Sequence, residues 1–207
     1  MPPPSPKRPI VLLGAISRQC QQRGGVCRSM DFITKVAQCA PTVHVDTMRR
    51  IVQVESGFNP YAIGIVGAHL QRQPRSYAEA LATIRWLDTN GYNYSVGLAQ
   101  VNRYNFHAHG LTPTTALMAC PNLRAGGAIL TACFARASKP AVTQQAALRA
   151  ALSCYESGNF LTGFRDGYVF KILGSGRQTA PGTITSSPQK RVRNFIDGNV
   201  PDSESLN

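Results

Sequence analysis

Residues 48–60 read M-R-R-I-V-Q-V-E-S-G-F-N-P. Met48, Ile51 and Val52 recur at spacings of three and four, the mark of one face of an amphipathic helix, and Glu55 falls on that same face. A carboxylate therefore stands where the buried stripe would carry another apolar side chain. Gly57 and then Asn59-Pro60 stop the helix directly afterwards, placing Glu55 in the last turn, where the macrodipole disfavours negative charge. Burial and dipole both favour the protonated form. A carboxyl kept neutral near working pH is what a general acid requires, and carbohydrate-cleaving sites use one to protonate a leaving glycosidic oxygen. Two plainer readings compete with this one: a buried glutamate paired with an arginine, and a helix end open to solvent.

The chain of 207 residues, 43% hydrophobic and 15% charged, has the composition of a soluble globular protein with one ordinary core. Its net charge of +12 is unevenly spread. Residues 1–30 carry five basic and no acidic side chains, residues 31–173 thirteen against seven, and residues 174–207 four against three. A moderately basic globular part suits an anionic partner, either nucleic acid or a charged envelope polymer. No zinc-finger spacing, RNP-type run or Walker loop supports nucleic acid, so none is expected as a partner.

Six cysteines (Cys20, Cys27, Cys39, Cys120, Cys133 and Cys154) form no C-x-x-C pair, and only four histidines accompany them. That spacing argues against a zinc site. Disulfides in an oxidising compartment are the better reading, and small buried thiols in a reduced protein are the alternative. The four cysteines inside the core region allow two bridges in three connectivities, which spacing does not distinguish. Lys7-Arg8 followed by Ile10–Ile16 makes an unconvincing signal peptide, because the apolar run is short and ends without a small-residue cleavage site. Met30 is an alternative start, and no run approaches the ~20 residues of a transmembrane anchor.

Residues 1–30 lack periodicity and read as a disordered basic segment, 31–173 as one globular domain, and 174–207 as a flexible polar tail. Phe32, Ile33, Val36 and Cys39 indicate a first short helix, and the Glu55 helix follows at about 45–56. Ser76-Tyr77-Ala78-Glu79 is a capping box opening a third helix that ends at Asn90-Gly91. Pro121 suits the first position of a fourth helix, with Leu123, Gly127, Leu130 and Phe134 on its stripe. Thr143 caps a fifth, which Gly158 terminates. Strand-like alternation is scarce, so the fold class is all-α, of five to seven helices, with room for a small β-hairpin in 60–75 or 92–101.

Three segments together resemble one known site. V-E-S-G-F-N-P-Y-A at 54–62, S-V-G-L-A-Q-V-N at 95–102 and L-S-C-Y-E-S-G-N at 152–159 are similar, in order and residue type, to the lysozyme-like lytic transglycosylase domain. C-A-P at 39–41 and C-P-N-L-R-A-G at 120–126 bring the resemblance closest to the specialised transglycosylases of bacterial type IV secretion and conjugation systems. It covers about residues 36–173. The resemblance implies a periplasmic or cell-envelope enzyme acting on peptidoglycan glycan strands beside secretion or conjugation components, without metal or cofactor. Lysozyme-type hydrolysis on the same fold, or a noncatalytic peptidoglycan-binding assembly factor, are the alternatives. As a working choice we pair Cys39 with Cys120 and Cys133 with Cys154.

Carried over by position, the resemblance makes Glu55 the sole catalytic acid and base. It implies substrate contacts for Ser56, for Gln100 in the Gly97-Leu98-Ala99-Gln100 turn, for Asn102, and for Tyr155, whose hydroxyl is expected to point at the catalytic carboxyl. Without the family, Ser56 reads as a local cap, Gln100 and Asn102 as loop polar residues, and Tyr155 as core. Asn122 and Arg124 read as residues that start and cap a helix. Two departures from the family stand out: Ala99, where many relatives have methionine, as a change in the cleft wall, and Glu156. A Glu156 turned into the cleft would raise the pKa of Glu55 or supply a second carboxylate. Tyr155 takes the inward stripe, so Glu156 is expected to face solvent.

Overall fold

The computed structural model describes residues 26–174 and 190–192, with side chains described over 32–174. The expectations for residues 1–25, and for most of the stretch after 174, lie outside the described residues. The helices are α1 (Val26–Cys39), α2 (Val45–Ser56), α3 (Tyr77–Thr89), α4 (Ala119–Ala137), α5 (Gln144–Ser157), α6 (Thr162–Arg165) and α7 (Tyr168–Leu173). The strands are β1 (Ile63–Ile65), β2 (Ala68–Leu70), β3 (Tyr94–Val96), β4 (Val101–Asn102) and β5 (Lys190–Val192).

Local chemistry sets most helix ends. In α2 the His44 ring accepts from the Asp46 N–H at 3.2 Å, and Gly57 closes the helix in the left-handed region at φ 56°. In α3 the Ser76 hydroxyl accepts from the Glu79 N–H, while the Glu79 carboxylate reaches back to the Arg75 N–H at 2.8 Å, one residue short of a reciprocal box. Thr143 caps α5 through the Ala146 N–H. Helix α4 begins at Ala119, two residues before Pro121. The proline is thus the third helical residue rather than the first, still within the turn whose N–H groups lack helical acceptors. Helix α1 likewise begins at Val26, ahead of the apolar periodicity.

Both segments considered for a hairpin form strands, and they join in one sheet. β4, β3, β1 and β2 pair antiparallel in that order, and β5 adds to β2 in parallel. Strands of two or three residues are too short for alternation to stand out in a sequence. Here Ile63, Ile65, Tyr94, Val96 and Val101 face the core, and Gly64, Ser95 and Asn102 face outward.

Helix α4 is the central strut. Its Leu123, Ala125, Leu130 and Cys133 are buried, and Gly126 lets it approach the cleft: a Cβ there would lie 2.6 Å from the Ala99 Cβ and 3.2 Å from the Met48 methyl. Two disulfides fasten it, Cys39–Cys120 to the end of α1 and Cys133–Cys154 to α5. They close sequence separations of 81 and 21 residues. Chain-entropy arithmetic puts their loss at about 4 and 3 kcal/mol respectively. Urea unfolding of the paired Cys→Ala variants should show both losses, with the Cys39–Cys120 loss the larger.

Candidate active site

Glu55 occupies the last turn of α2, half-buried, below the exposed cap at Gly57. Its Oε1 accepts a short hydrogen bond from the Tyr168 hydroxyl, and Oε2 has no partner among the described residues. Among the described residues no arginine or lysine pairs with it: the ion pairs there involve Asp46, Glu79, Asp88 and Asp166. The helix is intact to Ser56, so neither plainer reading of Glu55 applies. Burial is the main cause that raises its pKa, to about 7; the Tyr168 hydrogen bond opposes the rise, and the charge of Glu156 adds to it. At neutral pH the group is poised between acid and base.

Tyr168 was not singled out from the sequence. It begins α7, lies 113 residues from Glu55, and is 5% exposed. The one trace of it in the sequence is a polar-tipped ring on the buried face of Tyr168, Val169 and Ile172, a pattern equally typical of core. Its hydroxyl pKa lies far above the ordinary range, through burial first and then the nearby Glu55 charge, so it remains a donor. Tyr155, expected to make this contact, instead donates to the Ala99 carbonyl at 2.6 Å. It is nonetheless close enough for the Glu55 charge to help hold its pKa up, after burial.

The Gly97–Gln100 turn faces α2. Gly97 adopts φ +81°, and a Cβ there would lie 2.4 Å from the Asn122 amide nitrogen. Asn122, expected at a helix start, lies in the first turn of α4, is 0% exposed and clamps the Gly97–Gln100 turn. Its Oδ1 accepts from the Ala99 N–H at 2.7 Å, and its Nδ2 donates to the Val96 and Ala116 carbonyls. Ala99, expected on the cleft wall, is fully buried beneath. Gln100 takes a left-handed backbone, φ 44°, and its Nε2 donates to the Ala62 and Gly97 carbonyls at 3.0 Å each. The Ser56 hydroxyl lies 2.9 Å from the Leu98 carbonyl and 3.1 Å from the Val52 carbonyl, which share its one proton.

Glu55, Ser56, the Gln100 turn and Tyr155 thus come together, while Asn102 sits outward on β4, bonded to Asn93 and Ser95. Glu156 is exposed, and its carboxylate oxygen lies near Gly163. Burial and then Asp166 raise its pKa, and Lys171 opposes them. Among the described residues no group of three or more His, Cys, Asp or Glu could hold a metal ion. None of the described helices is long and apolar enough to cross a membrane.

Two measurements check this electrostatic picture. Tyr168→Phe removes the bond that favours the ionised form, so NMR should find the Glu55 titration shifted upward from about 7. The second is stability against pH. Glu55 binds its proton more tightly folded (about 7) than unfolded (4.5), so its burial is tolerated below pH 4.5 and costs stability as pH rises through 7. Allowing for its partial exposure, Glu55→Gln should unfold about 2 kcal/mol less readily than wild type above pH 7, with little difference at pH 4.

Comparison with known proteins agrees with the geometry. Residues 32–168 match the model of the transglycosylase SLT domain. The type IV secretion system protein virB1 of Brucella abortus biovar 1 (strain 9-941) is 50% identical over 154 residues, 72% of this chain and 65% of that protein. Protein virB1 of Rhizobium radiobacter is 38% identical over 158 residues, 75% of this chain and 65% of that one. Protein virB1 of Agrobacterium fabrum (strain C58 / ATCC 33970) is 34% identical over 183 residues, 87% and 72% respectively. The chain therefore spans slightly less than two thirds of the length of the first two. No solved structure matches it. With the lone protonatable carboxyl in its last turn of α2, the pinned Gly97–Gln100 turn and a family match over most of the folded part, this chain belongs to the transglycosylase SLT domain family.

Proposed function

We propose that the protein is a peptidoglycan lytic transglycosylase of the cell envelope, cutting the β-1,4 bond between N-acetylmuramic acid and N-acetylglucosamine. It would open the wall locally for a type IV secretion or conjugation apparatus, and the Brucella relatives are named as type IV secretion system proteins. The observation that carries the chemistry is one carboxyl, desolvated, poised near pH 7 and free at Oε2. The neutral acid donates its proton to the leaving glycosidic oxygen. The resulting carboxylate then takes the proton of the sugar's own 6-hydroxyl, whose oxygen closes the 1,6-anhydro ring. Glu55 ends protonated as it began, and no water is consumed. A pKa near working pH serves both half-steps.

The other parts fit that cycle. Tyr168 tempers the rise in pKa, so that the carboxylate is stable enough to form. Glu156 is exposed and reaches Glu55 only through its charge, which supports a mechanism with one carboxyl over the flanking pair of an ordinary glycosidase. Ser56, Gln100, Asn102 and Tyr155 shape the glycan site, Tyr155 and Asn102 by holding neighbouring groups. The basic globular part suits an anionic wall polymer.

Mass spectrometry of muropeptides released from purified sacculi is the direct test. Wild type should leave 1,6-anhydro ends, and reducing ends without the anhydro ring would assign hydrolysis instead. Glu55→Gln should abolish cleavage while urea unfolding shows an intact fold. For wild type, kcat/KM should fall about tenfold per pH unit above about 7, as the acid form is lost.

A further inference from the structure

The outward face of the sheet carries a row of polar groups that the catalytic cycle does not use. Gly64 on β1 pairs with Ser95 on β3, and Ser95 pairs with Asn102 on β4, so all three share this face. Asn93, two residues before Ser95, joins them, because alternate residues of a strand face the same way. The row is continuous with the catalytic site. A Cβ on Gly64 would point outward and lie 2.8 Å from the Gln100 Oε1, so the Gln100 side chain lies over the bare glycine. The Gln100 turn is in turn tied to Ser56, beside Glu55, through the Leu98 carbonyl.

Within the row, Asn102 fixes the polarity of its neighbours. Its Oδ1 accepts from the Tyr104 N–H at 3.1 Å, and its Nδ2 donates to Asn93 Oδ1 at 2.8 Å and to Ser95 Oγ at 3.3 Å. The Asn102 amide is spent inside the protein. Having accepted from it, Asn93 presents its NH2 and Ser95 its O–H, and neither donor has an acceptor among the described residues. Both side chains are half-buried, so the donors are held rather than swinging freely in water. A solvated sheet face is commonly polar. Oriented donors alone, flanked by a bare glycine and leading to a catalytic carboxyl, are more particular than that.

We infer that Asn93 and Ser95 form a glycan-binding extension of the cleft, donating to acetamido or hydroxyl oxygens of the strand away from the cut, with Asn102 as the residue that positions them. This rests on the glycan reading of the site, yet its test does not need cleavage. Binding of soluble, peptide-free glycan strands from purified sacculi is measured with Glu55→Gln as the background. Adding Asn93→Ala or Ser95→Ala should each weaken binding about fivefold, the worth of one hydrogen bond. In the active enzyme the same changes should raise KM and leave kcat unaltered.

Asn102→Asp is the decisive variant. A carboxylate still accepts from the Tyr104 N–H but cannot donate, so Asn93 and Ser95 turn their donors inward toward it. Glycan affinity should fall as far as in the Asn93→Ala, Ser95→Ala double variant, with urea unfolding unchanged, and Ser95→Thr should retain binding. Undiminished binding in the double variant, or no glycan binding by Glu55→Gln itself, overturns the inference. Asn93-dependent binding by a wild-type protein that leaves no anhydro ends would uphold it while refuting the transglycosylase reading.

Discussion

One buried amide joins helix α4 to the sheet and its turn. Asn122 sits on the central helix α4 with no exposure, and its three hydrogen bonds go to the backbone of the sheet turn and the segment before α4. Leaving any of those backbone groups unpaired in a dry interior would cost about 1–3 kcal/mol each. The turn they hold then supplies the Leu98 carbonyl that meets Ser56 and the Ala99 carbonyl that meets Tyr155. The geometry around Glu55 is therefore set from behind, by a residue that does not reach the cleft surface.

That arrangement settles an electrostatic conflict. Taking a carboxyl out of water favours its neutral form, but a group that never ionises could not complete the proposed cycle, which requires both acid and base. The Tyr168 hydroxyl counters burial by stabilising the charged form, while the Glu156 charge acts the other way from a more exposed position. Because Tyr168 is itself buried, it offers its proton to Glu55 without becoming an anion. Burial sets the direction and one hydrogen bond moderates it.

Where the determinants were local, they were legible in order along the chain. Met48, Ile51 and Val52 announced the face on which Glu55 lies, and all three are fully buried. Caps at Ser76, Thr143, Gly57 and Gly158 marked helix ends because the bonds span only three or four residues. The sheet was nearly invisible because its strands are two or three residues long and draw their pairing from segments separated by α3. The parts of the site misread, or not read, all involve distant contacts. Nothing near Asn122 in the sequence separates a helix cap from a buried clamp. Nothing near Tyr168 reveals that its hydroxyl meets a glutamate 113 residues earlier, and Tyr155 has the same residue type and a better motif, yet bonds to Ala99.

The amino-acid order alone determined the helical periodicity, the caps, and the presence of a carboxyl on an apolar stripe, because each depends on neighbours within a turn or two. The tertiary structure decided which tyrosine holds that carboxyl, which amide is spent in support and which donors remain outward. Those outcomes depend on close approach between segments, and hydrogen-bond direction is fixed only once both partners are in place.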